Sequence, residues 1–168
     1  MALRTIREKG DPILSKKSRP VTEFGQRLHT LLDDMLETVK AANGAGLAAP
    51  QVGVLRRVAV ALGDDGEFVE LINPVIVECS GEEDGPEGCL SVPGVYGLVK
   101  RPDWVKIRAY DRYGKPFTLE GHGFSARAFS HETDHLDGHL FTELVSKYLD
   151  DDELAEYYEK HALQGEKE

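Results

Sequence analysis

The stretch "FSHETDHLDGHLF", residues 129 to 141, carries two histidines four positions apart, with a glutamate directly after the first. On a helix His131 and His135 fall one turn apart on one face, so both imidazoles can reach a single ion. Glu132 lies about 100° further round at 3.6 residues per turn. It is better placed to take a proton from an attacking water than to be a ligand. This is the chemistry of metal-assisted hydrolysis, in which a catalytic ion usually has three protein ligands and one open position. The third ligand must come from elsewhere.

His139 is eight residues from His131, about 12 Å along a helix. That is too far to share an ion through bonds of about 2 Å, and Gly138 should stop the helix first; His139 reads as a surface histidine. In the longer protease pattern with a further histidine three after the glycine, that position here is Phe141. Glu153 or Glu156 would serve another zinc endopeptidase arrangement, although an acidic first helical turn already accounts for both. Cys89, in "GPEGCLSVPG" (85 to 94), offers a thiolate from a tight backbone segment that Pro93-Gly94 closes. Sulfur with two imidazoles suits Fe(II), Zn(II), Co(II) or Ni(II), and not Mg(II) or Ca(II). A purely structural metal staple would need a fourth protein ligand, and none is evident. The other cysteine, Cys79, ends an apolar run and reads as a small buried hydrophobe.

The elements that hold these residues follow from periodicity. From Thr22 to Asn43, Phe24, Leu28, Leu31, Leu32, Met35, Leu36 and Val39 recur at steps of three and four, one face of a helix capped by Thr22 and ended by Gly44. Short β-rich runs follow at 56–62, 68–72, 75–79, 104–110 and 116–120. Asp65-Gly66 and "DRYGKP" (111 to 116) supply turns between neighbours, so antiparallel hairpins are expected. A helix over 124–137, with Phe124, Ala128, His131 and His135 on one stripe, should end at Gly138. A last helix, acidic at its start, should span 151–163. The expectation is an α+β protein of one domain, residues 1–168.

The 168 residues hold 30 acidic against 20 basic side chains, a formal net charge of −10. Nucleic acid and anionic membranes would be repelled unless a local basic patch exists, and the sequence has none. The start, "MALRTIREKGDPIL", has no apolar core of a signal peptide or span.

Three segments in this order, "GAGLAAPQ" (44 to 51), "EGCLS" (87 to 91) and "HETDH" (131 to 135), together resemble the peptide deformylases. The likeness extends from "LRTIREKGDPIL" through "LINP" (71 to 74) and "VKIRAYDRYGKPF" (105 to 117) to the histidine helix. It implies antiparallel sheets wrapped around that helix, with Cys89, His131 and His135 holding the metal, physiologically Fe(II), for which Zn(II), Ni(II) or Co(II) could substitute. Glu132 would be the general acid and base, while the Gln51 amide and the Leu90 N–H would stabilise the oxyanion. Backbone groups of Ala45, Gly46 and Gly88 would pair with the peptide, the glycines leaving room for its approach. The implied reaction removes the formyl group from the N-terminal methionine of nascent chains. The implied setting is a monomer in a bacterial cytoplasm or, after processing, an organelle.

Three departures bear on this likeness. Ser130 stands where the family commonly has glutamine, and should alter packing behind the site rather than activity. Arg127, one turn before His131, either pairs with Glu87 or a substrate group or is a solvated arginine. The segment 150–168 has eight acidic residues and two lysines, so docking on the ribosome through a basic C-terminal helix is not carried over.

Overall fold

The apolar stripe of the first helix finds its partner in a sheet. The computed structural model describes residues 2–167, with side chains to residue 160. Helix α1 (Gln26–Ala41) buries Leu28, Leu31, Leu32, Met35 and Val39 against Leu47, Val58, Val60 and Ile72. It starts later than expected, at Gly25, with no side-chain cap. Upstream, the Asn73 side chain captures the Val21 backbone, accepting from its N–H at 2.8 Å and donating to its carbonyl at 2.9 Å. A partner 52 residues away thus overrides a local cap at Thr22. At the other end Asn43, at φ 55°, takes the left-handed position and Gly44 N–H donates to Val39 O.

Strands β1 (Gly46–Ala48), β2 (Val58–Leu62), β3 (Phe68–Ser80), β6 (Trp104–Tyr110) and β7 (Pro116–His122) form one antiparallel sheet in the order β1-β2-β3-β6-β7. Both predicted hairpin turns are present: Asp65 Oδ1 accepts from Glu67 N–H, and Asp111 Oδ1 from Tyr113 and Lys115 N–H. The runs 68–72 and 75–79 are a single strand with a register shift between Ile72 and Val75, where Asn73 has φ 52°. Cys79 is exposed rather than buried. The second half of β3, where Val75 and Val77 are also exposed, leaves the core.

The second sheet, β4 (Glu83–Cys89), β5 (Val92–Arg101) and β8 (Lys147–Leu149), has no counterpart among the expected strands. "EDGPEGC" carries turn formers and no alternating pattern, so only pairing with β5 makes it a strand. Pro93 and Gly94 lie inside β5 and close nothing.

Helix α2 (Phe124–Leu136) lays Ala126, Ala128 and Phe129 on Leu71, Val105, Ile107 and Ala109 of the larger sheet. Its close approach requires Gly121, where a Cβ would stand 2.7 Å from the Phe129 ring. Gly138, at φ 84°, follows its end as expected. Helix α3 (Asp151–Lys167) opens with three acidic residues. Among the described residues no helix is long and apolar enough to cross a membrane.

Candidate metal centre

Cys89 sits where β4 turns tightly into β5, paired with Val92 across a two-residue link. The link brings its thiol to the buried face of α2, where Sγ lies 3.3 Å from His135 Nε2. His135 Nε2 is 3.1 Å from His131 Nε2, and the three donor atoms lie within 4.8 Å of one another. Ligands on a tetrahedral ion with bonds of 2.0–2.3 Å stand about 3.3–3.8 Å apart, so the set fits one ion with little movement. Glu153, the alternative third ligand, is instead paired with Lys147 at 2.7 Å on α3. His139 is on the surface beside Glu143.

How His131 is aimed was not legible in the sequence. Its Nδ1 meets Glu87 Oε2 at 2.7 Å, which leaves Nε2 facing the other donors. Glu87 in turn takes both Arg101 Nε (3.0 Å) and Nη2 (2.7 Å), and Arg127 Nη1 (3.1 Å). All four side chains are buried. Burial raises the Glu87 carboxyl, but hydrogen bonds from His131 and Arg101 outweigh it and hold its pKa at about 2. The signal in the sequence was only proximity: Glu87 is two residues before Cys89, in a segment whose strand character comes from pairing with β5. Nothing local pointed to Arg101. Arg127 is not solvated; besides Glu87 it donates to Val99 O and Glu83 O, tying α2 to the second sheet. Ser130 donates to Ala126 O on its own helix and is buried.

The electrostatics favour positive charge at the donor set and leave one of its two imidazoles, His135, neutral. Burial works against charge on His131, yet Glu132, Cys89 and Glu87 draw its pKa well above the usual value, so its surroundings favour positive charge. Burial, reinforced by His131, pushes His135 well below, so it stays an unprotonated donor. Burial also raises Glu132 to about 7, and its Oε1 is enclosed without a hydrogen-bond partner. A carboxyl poised near neutrality with a free oxygen suits proton transfer.

Gln51 comes from the 3₁₀ turn Ala49–Val52 after β1. Its Oε1 accepts from Ala48 N–H, and its Nε2 lies 3.0 Å from Ser91 Oγ and 3.6 Å from Cys89 Sγ. Gln51, Leu90, Ala45, Gly46 and Gly88 all line one cavity of about 480 Å³, together with Cys89, His131 and Glu132. Two of these glycines also have a packing reason within the protein. A Cβ on Gly46 would collide with the Glu132 carboxylate, and one on Gly88 would stand 2.6 Å from the Tyr96 ring. Their missing side chains make room for the protein's own groups.

A half-buried cysteine and two buried histidines converge here, with the buried Glu132 beside them in the wall of the cavity. The polypeptide deformylase family model matches residues 3–150. The chain belongs to that family. It is 52% identical over 157 residues to peptide deformylase 1 of Bacillus subtilis, covering 93% of this chain and 98% of that one. It is 56% identical over 154 residues to a peptide deformylase of Acetivibrio thermocellus, covering 92% and 90%. A class I type b peptide deformylase of Acinetobacter baumannii, solved with Met-Ala-Ser bound, superposes with a TM-score of 0.81 at 34% identity, over 85% of this chain and 98% of that one. Membership makes this chain a metal-dependent hydrolase of the deformylase fold, with antiparallel sheets and three helices.

Proposed function

We propose that the chain removes the formyl group from the N-terminal methionine of newly made polypeptides, releasing formate, through the residues gathered in this cavity. The observation that carries the reading is the placement of Glu132 beside three converging donors, Cys89 Sγ, His131 Nε2 and His135 Nε2. These three would hold Fe(II), with Zn(II), Ni(II) or Co(II) able to replace it. When bound, the ion lowers the pKa of water and polarises the formyl carbonyl.

Glu132 takes the proton of the attacking water and returns it to the leaving amine; its enclosure and raised pKa support both roles. The Gln51 amide, anchored through Oε1, and the Leu90 N–H stabilise the oxygen that gains charge, and losing such a donor typically costs about a hundredfold or more in rate. Ala45, Gly46 and Gly88 bind the peptide backbone along the cavity wall. Glu87, held by Arg101 and Arg127, keeps His131 in the required orientation.

In this reading residues 1–168 form one domain, with α2 as the central helix inside the two sheets, acting as a monomer on nascent chains in the cytoplasm. The net charge of −10 and the acidic start of α3 argue against direct contact with ribosomal RNA.

The test is formate release from formyl-Met-Ala-Ser by protein prepared anaerobically with Fe(II), beside Glu132→Gln and Cys89→Ala. Release by the parent, loss in both variants and loss of bound metal only in Cys89→Ala are expected. A folded, metal-loaded parent that releases no formate overturns the reading.

A further inference from the structure

The same cavity extends well beyond the ligands. Its mouth is bordered by Phe124, Tyr96 and Tyr158, which are 62%, 38% and 55% exposed. Three large aromatic rings left open around one entrance are a poor arrangement for folding alone, since each would gain by burial. Phe124 is two helical turns before His131, about 10 Å along α2. An extended peptide covers that distance in about three residues.

Tyr158 reaches the mouth from α3, and the helix is seated independently of it. Tyr157 turns the other way and donates to Asp84 O on β4 at 3.3 Å. The helix start is fixed by Asp150 Oδ1, which accepts from Glu153 N–H at 2.8 Å, and by the pair Lys147–Glu153. The two tyrosine rings meet edge to face with centroids 6.0 Å apart. One tyrosine anchors the helix while the other is presented to the cavity.

We propose that Tyr158 is a specificity-determining residue: with Phe124 it forms an aromatic wall that receives an apolar or aromatic side chain at the second or third position of the substrate. The proposal rests on the deformylase reading and assigns to the C-terminal helix a part in choosing substrates.

The experiment measures kcat and KM for formyl-Met-Ala-Ala, formyl-Met-Phe-Ala and formyl-Met-Ala-Phe with the metal-loaded parent, Tyr158→Phe, Tyr158→Ala and Phe124→Ala. The parent favours at least one Phe-bearing peptide over the alanine peptide. In Tyr158→Ala that preference falls at least about threefold, the effect of losing about 25–30 Å² of apolar contact, and the change lies in KM. Tyr158→Phe keeps it. Phe124→Ala gives the same loss from the other side of the wall, which keeps the test decisive if Tyr158→Ala loosens α3. An unchanged preference in both alanine variants, with the parent active, overturns the proposal alone. No formate from any of the three peptides overturns the deformylase reading with it.

Discussion

Replacing Glu87 with alanine should be among the most damaging single changes outside the metal ligands. Its side chain is 4% exposed and faces the Arg101 and Arg127 guanidinium groups, themselves 5% and 9% exposed. Removing one partner of a buried charge pair costs about 3–5 kcal/mol, because the remaining charge is left uncompensated. Here the lower end applies. Arg101 keeps Asp134 at 2.6 Å, and Arg127 keeps the carbonyls of Val99 and Glu83. At about 2–4 °C per kcal/mol for a chain of this size, about 3 kcal/mol lowers Tm by roughly 6–12 °C. The variant also frees His131 Nδ1, and loss of such an outer partner typically weakens metal affinity or activity about 10–100-fold. Thermal unfolding of metal-free protein reads the first effect, and Co(II) titration reads the second. A Tm within about 2 °C of the parent together with unchanged Co(II) affinity would refute the assignment of Glu87 as the centre of this network.

Gly46→Ala should lower kcat by about tenfold or more while metal content stays at the parent level, because its Cβ would stand 3.0 Å from the Glu132 Cδ and displace the carboxylate; parent-like turnover would remove the packing argument. Asn73→Ala should destabilise by about 1–3 kcal/mol in urea, since it leaves Val21 N–H and C=O without their partner. Asp34 is held below its usual pKa by hydrogen bonds from Ala2 N–H and the Arg4 side chain, which outweigh its partial burial. A depressed carboxyl stabilises the fold above its unfolded pKa, near 3.9, and the benefit is lost as pH falls through the folded value. The Tm gap between the parent and Asp34→Asn should therefore be present at about pH 6 and shrink towards about pH 3; a gap that widens on acidification would contradict the sign.

The amino-acid order alone determined whatever rests on neighbours within one element. The helical stripe of Leu28, Leu31, Leu32, Met35 and Val39, the hairpin turns at Asp65-Gly66 and Asp111, the stop at Gly138, and the pair His131–His135 are all set by contacts a few residues apart, and all are found. The thiol of Cys89 was legible because its type completes the donor set, but its 3.3 Å approach to His135 spans 46 residues and belongs to the tertiary fold. Long-range partners also decided the features that the sequence misled on. Asn73 holds the Val21 backbone out of the first helix, and β5 turns the loop-like "EDGPEGC" into a strand.

The Gly46 and Gly88 positions admit Glu132 and Tyr96 rather than the substrate alone. Arg101, far from every motif, secures Glu87 and through it His131. Local order can specify which group is present and which way its helix face or strand face turns. Only packing determines which distant group meets it. In a buried site that partner sets the charge state and aim of every ligand, because little water remains to do so.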